Sequence, residues 1–96
     1  MAGYDVMLRP SAARELGRLR GPTQIALHGA ILALGDEPRP RGAMKLTGAP
    51  RTWRVRISID GVPWRLVYQV DDKQRRVRVL RIVRRDEGTY RGLRDG

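Results

Sequence analysis

Residues 53–70 read Trp53-Arg54-Val55-Arg56-Ile57-Ser58-Ile59-Asp60-Gly61-Val62-Pro63-Trp64-Arg65-Leu66-Val67-Tyr68-Gln69-Val70, and this stretch decides the fold. Its first segment alternates strictly. Trp53, Val55, Ile57 and Ile59 fall on one face of an extended chain, and Arg54, Arg56 and Ser58 on the other. Asp60-Gly61 is a hairpin signal, and the Val62-Pro63 that follows predicts a loop longer than two residues. Residues 64–70 are apolar on both faces apart from Arg65 and Gln69, the pattern of a central strand. Asp71-Asp72-Lys73-Gln74 turns the chain, and residues 76–83 form a third strand. The C-terminal half is therefore an antiparallel meander.

Upstream, the period changes from strand to helix. Residues 4–8 (YDVML) are a short first strand, ended by Arg9-Pro10-Ser11. Pro10 or Ser11 opens a helix of about ten residues, because first-turn Pro and capping Ser both favour a helix start. Leu16 and Leu19 fall three apart on its buried side, with Ala12 and Ala13 one turn earlier, and Arg14, Arg18 and Arg20 stay outside. Gly21-Pro22 breaks it. A second helix spans about residues 22–34, with Leu27, Ala30, Ile31 and Leu34 in one stripe that Ile25 and Leu32 widen. So short a connection makes the two helices a packed hairpin. Residues 35–52 hold three of the six prolines and form a loop from the helical layer to the sheet.

The order β-α-α-β-β-β predicts an α+β domain: an N-terminal strand, a helical hairpin and a three-strand antiparallel meander, with both helices on one face of a four-stranded sheet. Residues 1–96 make a single domain, since a chain of 96 residues supports one modest core. Residues 84–96 form a short basic tail.

Composition narrows the chemistry. The chain has no cysteine, so neither disulfides nor thiolate chemistry operate. His28 is the sole histidine, which excludes a histidine pair and a histidine-rich zinc site within one chain; no metal and no cofactor is expected. His28 follows Leu27 on the second helix and reads as a helix-surface or partly buried structural residue. No apolar run approaches the roughly 20 residues of a membrane span, and the N-terminus lacks a charged-then-apolar leader pattern, so the expected location is the cytoplasm. Twenty basic residues against ten acidic give +10, and eighteen of the twenty are Arg. Residues 51–96 carry thirteen of the basic residues and six of the acidic ones, so most of the excess lies there. Such a charge predicts a polyanionic partner, either nucleic acid or an acidic protein.

The arginines are also patterned. Arg54 and Arg56 share a face, and Arg65 lies on the next strand, out of phase with Trp64 and Leu66. If those strands pair, the three guanidiniums converge on the face away from the helices. Arg78 can join them and Arg84 lies at the end of the last strand. Like charges set together weaken a sheet, so such a cluster points to phosphate binding. Trp53, Trp64 and Tyr68 are in phase with the apolar positions and read as core. Tyr90 stands apart, in the polar run Arg84-Arg85-Asp86-Glu87-Gly88-Thr89-Tyr90-Arg91.

These residues resemble the RelE/ParE superfamily of bacterial toxins from type II toxin–antitoxin systems. The resemblance rests on an ordered set: Ala13-Arg14-Glu15-Leu16 with Leu19, Pro38, Lys45-Leu46-Thr47-Gly48, Trp53-Arg54-Val55-Arg56, Trp64-Arg65-Leu66-Val67-Tyr68, Arg84-Arg85-Asp86 and Tyr90-Arg91. It covers residues 4 to 93 or so. The RelE branch implies a metal-independent endoribonuclease that enters the ribosome and cuts messenger RNA. The ribose 2′-hydroxyl attacks the adjacent phosphate and leaves a 2′,3′-cyclic phosphate. The resemblance assigns catalytic roles to Arg65, Arg84 and Tyr90, and RNA or phosphate contacts to Arg54, Arg56, Arg78 and Arg85. Arg54 and Arg56 stand where some relatives carry lysine. It also implies a cognate antitoxin, acidic, partly disordered and helical on binding.

Arginine stabilises a phosphorane-like transition state but is too strongly basic to accept the proton as general base. Two other readings stand beside the nuclease. A ParE-type toxin inhibits DNA gyrase and cuts nothing; a plain basic module only binds nucleic acid.

Overall fold

The computed structural model describes residues 3–84. Strand β1 (Asp5–Leu8) leads into helix α1 (Pro10–Gly17) and helix α2 (Gly21–Ala33). Four strands follow: β2 (Met44–Lys45), β3 (Thr52–Ile59), β4 (Val62–Asp71) and β5 (Arg76–Arg84). They form one sheet in the order β1-β5-β4-β3-β2, antiparallel except for the parallel β1–β5 pair. The α+β architecture is the one the periodicity predicts. The fifth strand is the two-residue β2, which lies within the proline-rich loop and is too short to carry a periodic signal.

Backbone chemistry explains the junctions. Arg9 N–H donates to Val79 O and continues the β1–β5 ladder by one residue. Pro10 then removes a donor and fixes a helical φ, and the chain enters α1 with Pro in its first turn. Ser11 does not cap the helix; its hydroxyl donates to Leu80 O and ties α1 to β5. The C-terminus of α1 is closed by Gln24, whose Nε2 donates to Leu16 O across the helical hairpin. Gly35 follows α2 where the start of β1 crosses it. Tyr4 N–H donates to Gly35 O, and a Cβ on Gly35 would meet Tyr4 O at 2.9 Å. Only glycine allows that approach.

The core lies between the helices and one face of the sheet. Ala12, Leu16, Leu27, Ile31 and Leu34 pack on Val55, Trp64, Leu66, Tyr68, Val70, Val77, Val79 and Ile82. The stripe expected on α2 is present, with a correction. Ile25 and Leu32 do not widen it: they are 73% and 55% exposed. They lie on the face of α2 turned from the sheet, and His28 is exposed beside them.

The β3–β4 hairpin is tighter than the sequence suggests. Ile59 pairs with Val62, so the loop is Asp60-Gly61 alone, both at positive φ (50° and 78°), as a type I′ turn requires. Pro63 is accommodated inside β4 opposite Ser58. In that pair the N–H that proline lacks would point away from β3, so the hairpin ladder loses no bond.

One irregularity matters for function. Val67 pairs with Arg81 and Tyr68 with Val79, so Leu80 is an extra residue in β5. This bulge shifts the phase of everything after it. Val77 and Val79 face the core before the bulge, and Ile82 faces it after.

Candidate active site

Cross-strand neighbours share a face, so the register builds the surface opposite the helices row by row. Arg56 lies directly opposite Arg65, which in turn pairs with Val83. The next row holds Met44, Arg54, Val67 and Arg81. The row beyond holds Gln69, Arg78 and Met7, and the last holds Asp71, Arg76 and Asp5. The convergence of Arg54, Arg56 and Arg65 is therefore real: two adjacent strands present them in two adjacent rows. Among the described residues, these two rows contain no acidic residue.

The environments of the arginines differ. Arg65 is half-buried and Arg56 exposed. Arg54 Nη2 donates to the Met44 sulfur at 3.4 Å, and no ion pair to Arg54 occurs among the described residues. Arg81 is drawn off: it lies beyond the stretch of β5 that β1 covers, and its guanidinium pairs with Glu15 of α1 at 2.8 Å. Glu15 Oε1 also accepts Ile82 N–H at 2.8 Å, so one carboxylate holds α1 to the sheet and quenches one arginine. The bond to Glu15 pushes the Arg81 pKa up, partly opposed by burial.

Arg78 shares the face but stands two rows from Arg65. Arg84 pairs with Trp64 and so belongs to the file that faces the helices, not to that of Arg65. Strict alternation would set Arg78 and Arg84 on one face; the Leu80 bulge separates them. Arg85 and Tyr90 lie outside the described residues. The adjacent apolar pair Val79-Leu80, followed by Arg81 and Ile82 out of phase, is the sequence signal of the bulge. Among the described residues, no group of three or more His, Cys, Asp or Glu is placed to hold a metal ion. Nor is any described helix long and apolar enough to cross a membrane.

A second polar cluster locks the helix face. Tyr4 Oη and Arg39 Nη2 both donate to Asp72 Oδ1, at 2.7 and 2.9 Å. These two bonds hold the Asp72 carboxyl below its ordinary pKa, and the bond to Asp72 holds the Tyr4 phenol above its own. The Arg39 guanidinium lies over the Trp53 ring, 5.5 Å from its centroid. Tyr68 is fully buried and donates to Pro38 O at 2.7 Å. Burial pushes its phenol up to about 12, slightly opposed by the Arg39 charge. Trp53, Trp64 and Tyr68 are thus structural, as their phase predicts. Asp71 is turn chemistry, accepting Gln74 N–H at 3.0 Å. Sequence reasoning missed Asp72, Arg39 and Tyr4 as a group because they are brought together only by the fold.

Comparison with known proteins fits this geometry. The family model of the ParE toxin of the type II toxin–antitoxin system parDE matches residues 6–88. The chain belongs to this family. It is a toxin of a type II toxin–antitoxin system, within the RelE/ParE superfamily. Solved structures of RelE toxins share its fold. In the RelBE2 toxin–antitoxin complex from Mycobacterium tuberculosis, the matching chain is 27% identical, with 86% of this chain and 99% of that chain covered and a TM-score of 0.72. The intact Escherichia coli RelBE complex matches at 25% identity, covering 88% and 99%, with a TM-score of 0.70. The archaeal RelE–RelB complex from Pyrococcus horikoshii matches in fold at 23% identity, covering 91% and 99%, with a TM-score of 0.73. No curated protein sequence matches the chain.

Proposed function

We propose that this toxin is a metal-independent messenger endoribonuclease of the RelE type, acting in the cytoplasm at the ribosome. The carrying observation is the directly opposed pair Arg56 and Arg65, with Arg54 beside them and no acid in their rows among the described residues. Like charges in direct register weaken a sheet, and a bound anion would offset that cost. A scissile phosphate is that anion. The ribose 2′-oxygen forms a bond to phosphorus, the bond from phosphorus to the 5′-oxygen breaks, and the products are a 2′,3′-cyclic phosphate and a 5′-hydroxyl. A proton leaves the 2′-hydroxyl and one reaches the 5′-oxygen. Arg54, Arg56 and Arg65 neutralise the charge that accumulates on the phosphoryl oxygens between these events. Proton transfer needs another group. The family resemblance gives catalytic roles to Arg84 and Tyr90, with positioning or proton transfer falling to Tyr90, and phosphate contacts to Arg78 and Arg85.

The partner that silences it is a cognate antitoxin, as the RelB-bound structures suggest. The chain from Gly21 to Gly35 carries no charged residue, and Ile25 and Leu32 are exposed on it. An amphipathic helix of an acidic antitoxin suits that face, with its acids reaching the arginines around it.

The test is primer extension on messenger RNA from cells in which the toxin is induced. Cuts that vanish in Arg65→Ala support the reading; intact messenger in growth-arrested cells refutes it. The second reading, a gyrase inhibitor, is favoured by the ParE family model itself. Inhibition of gyrase supercoiling by the purified toxin, with messenger uncut, is its signature.

A further inference from the structure

The face that carries Arg54, Arg56 and Arg65 continues to a concavity at the other end of the sheet. A cavity of about 360 Å³ opens there, lined chiefly by Met7, Pro50, Arg51, Asp71, Arg76 and Arg78. Its volume falls at the low end of small-ligand sites. Three guanidiniums face one carboxylate, and that carboxylate is taken: Asp71 pairs with Arg51 at 3.6 Å. Arg76 stands in register between Asp5 and Asp71, yet neither it nor Arg78 makes a side-chain hydrogen bond or ion pair among the described residues.

The wall of the cavity is built rather than loose. Arg51 is held at φ 56° by a turn in which Thr52 N–H donates to Ala49 O and Thr52 Oγ1 to Pro50 O. Val70 N–H donates to Arg51 O at 2.9 Å and clamps the turn onto β4. The apolar part matters as much as the charge. Met7 is 44% exposed on β1 and lines the cavity together with Pro50. A lining that combines guanidiniums with a thioether and a proline ring suits a nucleotide better than a bare anion, because the base has apolar surface to lie on.

We propose that this cavity holds a nucleotide of the RNA strand flanking the scissile phosphate, with Arg76 and Arg78 on its phosphate and the base against Met7 and Pro50. The proposal rests on the nuclease reading. From Arg65 to Gln69 on β4 is about 13 Å at the rise of an extended chain, so one single strand spans both rows. Val67 lies between them as an apolar step. This subsite supplies affinity and alignment away from the reacting atoms.

The experiment is binding of a fluorescein-labelled single-stranded oligo-uridylate to the full chain, followed by anisotropy across a salt series. The proteins compared are wild type, the double variant Arg76→Ala/Arg78→Ala, the single variant Arg56→Gln and a charge-matched control, Arg18→Ala/Arg20→Ala, on the exposed helical side. The expected result is a log–log salt slope smaller by about 0.7 in the Arg76/Arg78 variant, the value of one phosphate contact, with the control close to wild type. Met7→Ala should weaken oligo-uridylate but not inorganic polyphosphate, since only the former has bases. If the Arg76/Arg78 variant binds like the control while Arg56→Gln loses affinity, the subsite is overturned and the nuclease face stands. If wild type shows no salt-dependent RNA binding, both fall together. If Met7→Ala weakens polyphosphate equally, or neither ligand, the site does not take a nucleotide.

Discussion

Arg56→Gln should make the toxin more stable and less active at once. Arg56 stands opposite Arg65 on β4 and two residues from Arg54 on its own strand. Directly opposed side chains start about 5 Å apart at Cβ. With guanidiniums about 6–7 Å apart in a water-like dielectric, each repulsion is about 0.6–0.7 kcal/mol before screening. At 0.01 M salt the Debye length is about 30 Å and the two repulsions together leave about 1 kcal/mol; at 1 M it is about 3 Å and almost nothing remains. Glutamine keeps the length and polarity of the side chain and removes only the charge. For a domain of this size about 1 kcal/mol moves Tm by roughly 4–8 °C. Thermal unfolding of both proteins by circular dichroism at the two salt concentrations measures the difference. Tm should rise by several degrees in dilute buffer and by less than about 1 °C in concentrated salt, while messenger cleavage falls. A variant that melts lower at both concentrations would show that Arg56 is held in a stabilising contact. A stabilised variant that cleaves as wild type would remove Arg56 from the phosphate site.

The other expectations concern the frame and the partner. Tyr68, with its folded pKa raised to about 12 from about 10, should contribute full stability below about pH 10 and lose it as pH rises through about 12. That loss is on the order of 3 kcal/mol; urea unfolding against pH should show it, and Tyr68→Phe should lack it. Glu15→Ala removes the Arg81 pair and the acceptor of Ile82 N–H together, so it should cost about 1–3 kcal/mol in urea unfolding, with Glu15→Gln intermediate. A cost near zero would mean α1 is held by packing alone. Ile25→Glu changes an exposed site and should alter stability by no more than about 0.5 kcal/mol, yet it should let the toxin arrest growth despite co-expressed antitoxin. Full neutralisation of that variant would exclude the outer face of α2 as the antitoxin surface.

The parts of the fold that follow a period were legible in the sequence. The alternation of residues 53–59 placed Arg54 and Arg56 on the solvent face, and the doubly apolar residues 64–70 made β4 central, as it is. What was lost lies where periodicity is interrupted or shared. A two-residue strand has no period, so β2 was read as loop. The extra residue Leu80 inverts alternation beyond it, which moved Arg84 from the face of Arg65 to that of Trp64. On α2 the error was of another kind. An apolar residue at helical spacing reports that a surface avoids water, not that this chain covers it, and Ile25 and Leu32 are left outside. The pairing of Arg81 with Glu15, which removes one cation from the face, depends on α1 standing beside β5 beyond the stretch that β1 covers, and no local pattern encodes that.

The parallel pairing of β1 with β5 sets a clock on the molecule. The strand made first aligns with the strand made last, Asp5 with Arg76. Closing a loop of that length costs about 4 kcal/mol in chain entropy, and long-range closures of this kind slow folding. During synthesis, α1 and α2 emerge early and β1 waits beside them with no strand to join. Until residues 76–84 are free, β4 keeps one bare edge and Arg78 has no place in the surface. A chain interrupted before Arg76 leaves both β1 and β4 without their partner strand. The helical hairpin is thus complete before the final strand closes the sheet and its arginine-bearing face.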